Sequence, residues 1–298
     1  MAFDDDAAYA TRVVASLIAC EVIFQAALAL VKGSARLAAP LKGDRAEIDT
    51  WACKAVNLIH ATLVGPLGYY CMFHSSDAQL TGLVSDALAL KATPTTFHSE
   101  AGTELASLLT SVTVGFFCWD LLRIDKWAKS STRERRMMVT HHVLSIAVWP
   151  LAVSYRCAAC FLLHYELTEL SSPLLQLRWY LGLYFGRGSA AELGCAAAFA
   201  LVFLGVRATN LHVVLGAFAA SAPWNGALHP PCLPGWMRAV ATCTLPLPSL
   251  LNLMWSLQIL KMGARMIGGS EAEANKAATR ARFKEQRRHS GGKEGKAA

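Results

Sequence analysis

Charge is what this sequence has least of. Only 16% of its 298 residues are Asp, Glu, Lys or Arg, against the roughly one quarter usual for soluble chains. Mean hydropathy is positive, at +0.35. The shortage is uneven: charge vanishes from several windows of about 20 residues, the length that crosses a bilayer as a helix, and collects between them. No stretch outside those windows is long enough for a soluble domain of ordinary size. A disulfide framework is also missing. Of nine cysteines, Cys20, Cys53, Cys118 and Cys195 lie in apolar stretches, where a thiol packs as a small hydrophobe. Cys157-Ala-Ala-Cys160 has CxxC spacing but no second ligand pair, and it reads as packing. No metal or cofactor motif is found. A basic signal sequence is absent too: Met1-Ala-Phe-Asp-Asp-Asp is acidic, so the first apolar segment is expected to stay as a signal anchor. Without an internal repeat, a transporter of inverted halves has no support.

What is present is a series of seven apolar spans: 13–31, 51–73, 105–122, 138–155, 157–177, 193–220 and 238–262. They predict an all-α integral membrane protein of about seven transmembrane helices. The basic residues flank these spans, which turns the net charge of +7 away from nucleic acid and toward an anionic lipid surface. Lys32, Arg36, Lys42, Arg45 and Lys54 follow the first span, and Arg123, Lys126, Lys129, Arg133, Arg135 and Arg136 the third. Arg178 and Arg187 follow the fifth, and the tail after Gly268 carries eight Lys and Arg from Lys276 to Lys296. The loop 74–102 holds only Lys91, and 221–236 has neither Lys nor Arg. Seven spans place every basic loop on one side, so the positive-inside rule predicts a lumenal N-terminus and a cytoplasmic tail. The tail, 268–298, is polar enough to be disordered.

Ionisable residues inside spans are the informative ones, since each costs about 2.5 to 3.5 kcal/mol near the midplane. The chain places Asn57 and His60 in the second span, Asp120 at the end of the third, and His141 and His142 at the start of the fourth. His164, Glu166 and Glu169 fall in the fifth, Arg207, Asn210 and His212 in the sixth, and Asn252 in the seventh. Helical spacing puts Asn57 with His60, Tyr165 with Glu169 and Ser172, and Arg207 with Asn210 on common faces. None of these faces can meet lipid, so they predict one enclosed polar interior. Glu169 needs a partner there, and Arg207 or a histidine is the expected one. The His141–His142 pair fits general acid/base chemistry or headgroup binding, with an interfacial pair at a helix start as the plainer alternative. Asp120 beside Arg123 reads as a helix-end ion pair. Glu166 and His164 are expected nearer the lumenal edge, solvated. Arg178 with Trp179 reads as an interface anchor, and the three asparagines as interhelical hydrogen-bond donors and acceptors.

The motifs follow in a fixed order. Asn57-Leu-Ile-His60 is followed by Gly115-Phe-Phe-Cys-Trp-Asp120 and His141-His142-Val-Leu-Ser-Ile. Then come Glu169-Leu-Ser-Ser-Pro173, Arg178-Trp179, Phe203-Leu-Gly-Val-Arg207 and Asn252-Leu-Met-Trp255. In this order they resemble the TLC-domain family (TRAM, Lag and CLN proteins) over roughly residues 50 to 266. The resemblance implies a six-helix TLC-type ring preceded by one N-terminal helix. It divides the chain into 1–48 (lumenal N-terminus, first helix and basic loop), 49–267 (TLC domain) and 268–298 (basic cytoplasmic tail). It implies a polar-lined intramembrane pocket formed by His60, Asp120, His141, His142, Glu169, Arg207 and Asn252. Membrane lipid is the expected ligand and the endoplasmic reticulum or another endomembrane the expected location.

Ceramide synthases of that family carry an HH pair and then a His-Asp-x-x-Asp element. Here His164 is followed by Tyr165 and Thr168 at the two Asp positions. The chain is therefore closer to the non-synthase members, which are linked to lipid homeostasis. An acyl-CoA-dependent N-acyltransferase with His141 or His142 as base is the alternative, with acyl-CoA then a substrate. A cargo or lipid sorting receptor between endoplasmic reticulum and Golgi is the second alternative, but it lacks a convincing cytoplasmic signal.

Overall fold

The structure is a computed structural model and describes residues 2–74, 100–127, 132–154, 159–220, 235–244 and 246–267. The described residues contain helices and no strand. The long elements are α1 (Ala2–Gly33), α2 (Arg45–His74), α3 (Glu100–Trp127) and α4 (Thr132–Ser154). They are followed by α5 (Ala159–Leu167), α6 (Ser172–Tyr184), α7 (Ala190–Ala220), α8 (Gly235–Thr244) and α9 (Pro246–Ile267). The chain divides into a compact unit of residues 1–253 and a second unit of 254–298, whose described part is the end of α9.

Four helices among the described residues are long and apolar enough to cross a bilayer: Asp6–Gly33, Glu104–Ile124, Arg135–Ser154 and Ala190–Arg207. They coincide with the first, third, fourth and sixth expected spans. The second lies within α2, a 30-residue helix with Pro66 inside it. The chain is an all-helical integral membrane protein. The loops 75–99 and 221–234 and the tail 268–298 lie outside the described residues, as does the Cys157–Cys160 pair's geometry.

The fifth expected span, 157–177, is not one helix. It resolves into α5, a 3-10 turn at Thr168–Ser171, and α6. Side-chain hydroxyls bond back onto the backbone at the break: Thr168 donates to the Tyr165 carbonyl at 2.7 Å and Ser171 to that of Thr168 at 3.1 Å. Pro173 then opens α6, where its missing N–H costs nothing. The seventh expected span, 238–262, likewise resolves into α8 and α9, with Pro246 at the start of α9.

Close backbone approach holds the compact unit together. α1 lies directly against α3, where a Cβ on Gly115 would sit 2.4 Å from the Val13 carbonyl oxygen. Ser16 donates to the Val112 carbonyl at 2.7 Å beside that contact, and Arg12 donates to Ser107 at 2.7 Å. α2 meets the 3-10 turn as closely, since a Cβ on Gly65 would lie 2.6 Å from the Leu170 nitrogen. Phe24, Val31, Val56, Trp119 and Leu163 fill the core between these helices. By contrast Val14, Ile18, Val22 and Leu30 on α1 are exposed, as suits a lipid-facing side.

Candidate functional site: a buried histidine–aspartate pair

α3 and α4 bring one histidine and one carboxylate together inside the apolar core. His142 Nε2 lies 2.8 Å from Asp120 Oδ2, with the two side chains 3% and 2% exposed. Only pairing makes such groups tolerable there, because either alone would be desolvated without compensation. With Nε2 turned to the carboxylate, a neutral His142 carries its proton on Nε2 and leaves Nδ1 as a bare acceptor. Among the described residues, His142 Nδ1 and Asp120 Oδ1 have no hydrogen-bond partner. The pair therefore has one unused acceptor on each side. A histidine oriented by a carboxylate in this way is equipped to take a proton or to accept a donor from a bound molecule.

Aromatic rings fix its position. Phe117 stacks on His142 at 4.4 Å between centroids and meets His141 edge-on at 5.4 Å. Trp149 of α4 also meets Phe117, its ring tilted at 5.7 Å between centroids. One helical position earlier, Phe116 stacks on His60 of α2 at 4.0 Å. His60 lies within electrostatic range of His142, and among the described residues its buried Nε2 has no hydrogen-bond partner. His60, Asp120, His141 and His142 thus form one group, supplied by α2, α3 and α4.

Arg207 of α7 heads a second group. Its Nη1 donates to Asn252 Oδ1 at 2.5 Å and its Nη2 to the Thr168 carbonyl at 3.3 Å. The guanidinium rests on the Phe203 ring, 4.6 Å from the centroid. Its charge reaches both the half-buried Glu169 and His141. Asn252 is therefore an interhelical partner, as expected. Asn57 is different, since its buried Oδ1 has no hydrogen bond among the described residues. The side chains of Asn210 and His212 lie outside the described residues.

Three local readings of the sequence need correction. Asp120 is not the partner of Arg123. Glu21 of α1 holds Arg123 through both carboxylate oxygens, at 2.6 and 2.7 Å, and leaves Asp120 to His142. Glu21 also accepts from Trp119 Nε1 at 2.9 Å, so it gathers two residues one helical turn apart on α3. Next, Glu166 and His164 are not solvated: both are fully buried, and Thr113 donates to Glu166 Oε2 at 3.0 Å. Lastly, Arg178 is more than an interface anchor, because it binds Glu192 at the start of α7 at 2.6 Å. Its neighbour Trp179 carries Lys54, whose Nζ lies 5.5 Å from the ring centroid.

The family model of the TLC domain (TRAM, Lag and CLN proteins) matches residues 50–261. The chain belongs to the TLC-domain family. Comparison with the curated proteins and with the solved structures gave no match. The domain is a membrane domain with lipid-related function. His60, Asp120, His141, His142, Glu169, Arg207 and Asn252 all fall inside the matched TLC domain. Glu21 does not, although it engages two residues of the helix that carries Asp120. Sequence reasoning passed over Glu21 because it sits in the middle of an apolar window. The signal was there: a carboxylate inside a span requires a partner.

Proposed function

We propose that the protein handles membrane lipid, binding a lipid headgroup in its polar interior and so acting in lipid homeostasis. The observation that carries this reading is the Asp120–His142 pair with its unused acceptors, enclosed by His60, His141 and aromatic rings. A headgroup hydroxyl, amine or amide N–H would supply the missing donors, while acyl chains remain among the apolar helices. Arg207 would serve an anionic or carbonyl group on the same molecule. The expected location is the endoplasmic reticulum or another endomembrane, with the N-terminus lumenal and the basic loops against an anionic lipid surface. The test is thermal unfolding of delipidated protein in detergent, titrated with purified lipid classes. One class should raise the transition temperature well above the rest, and a uniform response to all would contradict the reading.

The same pair favours a second reading, an acyl-CoA-dependent N-acyltransferase. His142 would take the proton from a long-chain amine as its nitrogen attacks the thioester carbonyl and return it to the sulfur as the C–S bond breaks and coenzyme A leaves as the thiol; general base catalysis supplies roughly 10²–10⁴-fold. Tyr165 and Thr168 stand against it, since they replace the two acidic residues that the ceramide synthase pattern requires. Purified protein incubated with sphingoid base and acyl-CoA is expected to give no N-acylated product. Robust product that disappears in His142→Ala would reverse the ranking.

A further inference from the structure

Asp120 has two cations within reach, and both are held elsewhere. Arg123 lies three residues on along α3, the spacing at which helical side chains meet. Lys54 of α2 is close enough to interact with the Asp120 charge. Either would compete with His142 for the carboxylate, because each brings a full, permanent positive charge to it. Lys54 instead donates to Gln176 Oε1 at 3.2 Å and lies over Trp179. Arg123 is taken by both oxygens of Glu21 and rests on Phe24, 4.3 Å from the ring centroid. Glu21 is itself fixed by Trp119 Nε1 at 2.9 Å and by Gln25 at 2.7 Å. α1 is set against α3 by the Gly115 contact and the Ser16 bond, so the carboxylate is presented in a defined place.

We propose that Glu21, on a helix outside the TLC domain, is a positioning residue for the Asp120–His142 pair. By holding Arg123 it keeps Asp120 for His142. The functional part of this inference rests on reading that pair as the lipid site. A plain strut between α1 and α3 predicts that either end of the ion pair can be removed with the same result. Sequestration predicts an asymmetry: Glu21→Gln releases Arg123 onto Asp120, whereas Arg123→Gln only removes the competitor.

The experiment compares Glu21→Gln, Arg123→Gln and the double variant in the full-length protein. Two quantities are read: endogenous lipid that stays with the purified protein, by mass spectrometry, and the Asp120–His142 coupling, by a double-mutant cycle on thermal unfolding. Glu21→Gln should lose the coupling and roughly tenfold of the retained lipid. Arg123→Gln should keep both, and the double variant should recover both. Equal harm from the two single variants, or no recovery in the double, would overturn the proposal in favour of a strut. Should Glu21→Gln fail to fold, Arg123→Gln still decides, benign for sequestration and harmful for a strut. If the coupling moves as expected while retained lipid is the same in every variant, the positioning role stands and the lipid reading falls.

Discussion

Burying His142 and Asp120 together costs less than burying either alone, and that fixes what substitution should do. Asp120→Ala leaves an unpaired imidazole at an almost fully enclosed position, and the expected loss is on the order of 3 kcal/mol. His142→Ala strands the carboxylate and should cost as much. The double variant should lose less than the sum, by about 1–3 kcal/mol, in unfolding followed in detergent. Strict additivity would mean that the 2.8 Å contact carries no energy. Glu166 offers a second check at this scale. Thr113 is its hydrogen-bond partner, so Thr113→Val should destabilise by about 1–3 kcal/mol, whereas the same change at the exposed Thr62 should be nearly silent. The histidines were legible in the sequence because two adjacent ones opening a span are rare and match a family motif. Their carboxylate partner was not, because Asp120 and Arg123 satisfy each other locally on paper. What decides between them is Glu21, about a hundred positions away, and no spacing rule reports that.

Glycines decide how closely the elements pack. At Gly115 a Cβ would collide with the α1 backbone, an atom that cannot rotate away. Gly115→Ala is therefore expected to force α1 from α3 and to cost about 1–3 kcal/mol, with loss of the Glu21 contacts following from it. Gly194, in the first turns of α7, has nothing within 4 Å of a built Cβ, so Gly194→Ala should be neutral or stabilising by up to about 1 kcal/mol. Equal effects of the two in a thermal scan would show that the α1–α3 approach is not tight. At this scale hydropathy was a good guide where a span is uninterrupted, as in α1, α3, α4 and α7. It failed between 157 and 177, because an apolar run does not reveal the 3-10 turn at Thr168–Ser171 that divides it into two helices. Pro173 was visible, but a proline inside a span is compatible with either a kink or a new helix.

For the whole molecule, the distribution of Lys and Arg carries the orientation. Ser290→Cys and Ala78→Cys are expected to label from opposite faces of a sealed vesicle, since an odd number of spans separates the tail from the loop 74–102. Labelling from one face would contradict the seven-span reading. The family follows from the TLC-domain match across residues 50–261, and it was legible in the order of motifs because each pairs a polar residue with an apolar helix that must hide it. The role of α1 was not, since it lies outside the domain and the one charged residue in its apolar window 13–31 is a lone carboxylate. The central claim is that the enclosed Asp120–His142 pair receives a lipid headgroup. Mass spectrometry of the lipids that co-purify with the wild-type protein and with folded His142→Gln tests it most directly. The account predicts one lipid class enriched over the surrounding membrane in the wild type and reduced to the membrane proportion in the variant; the same bulk membrane composition in both would contradict it.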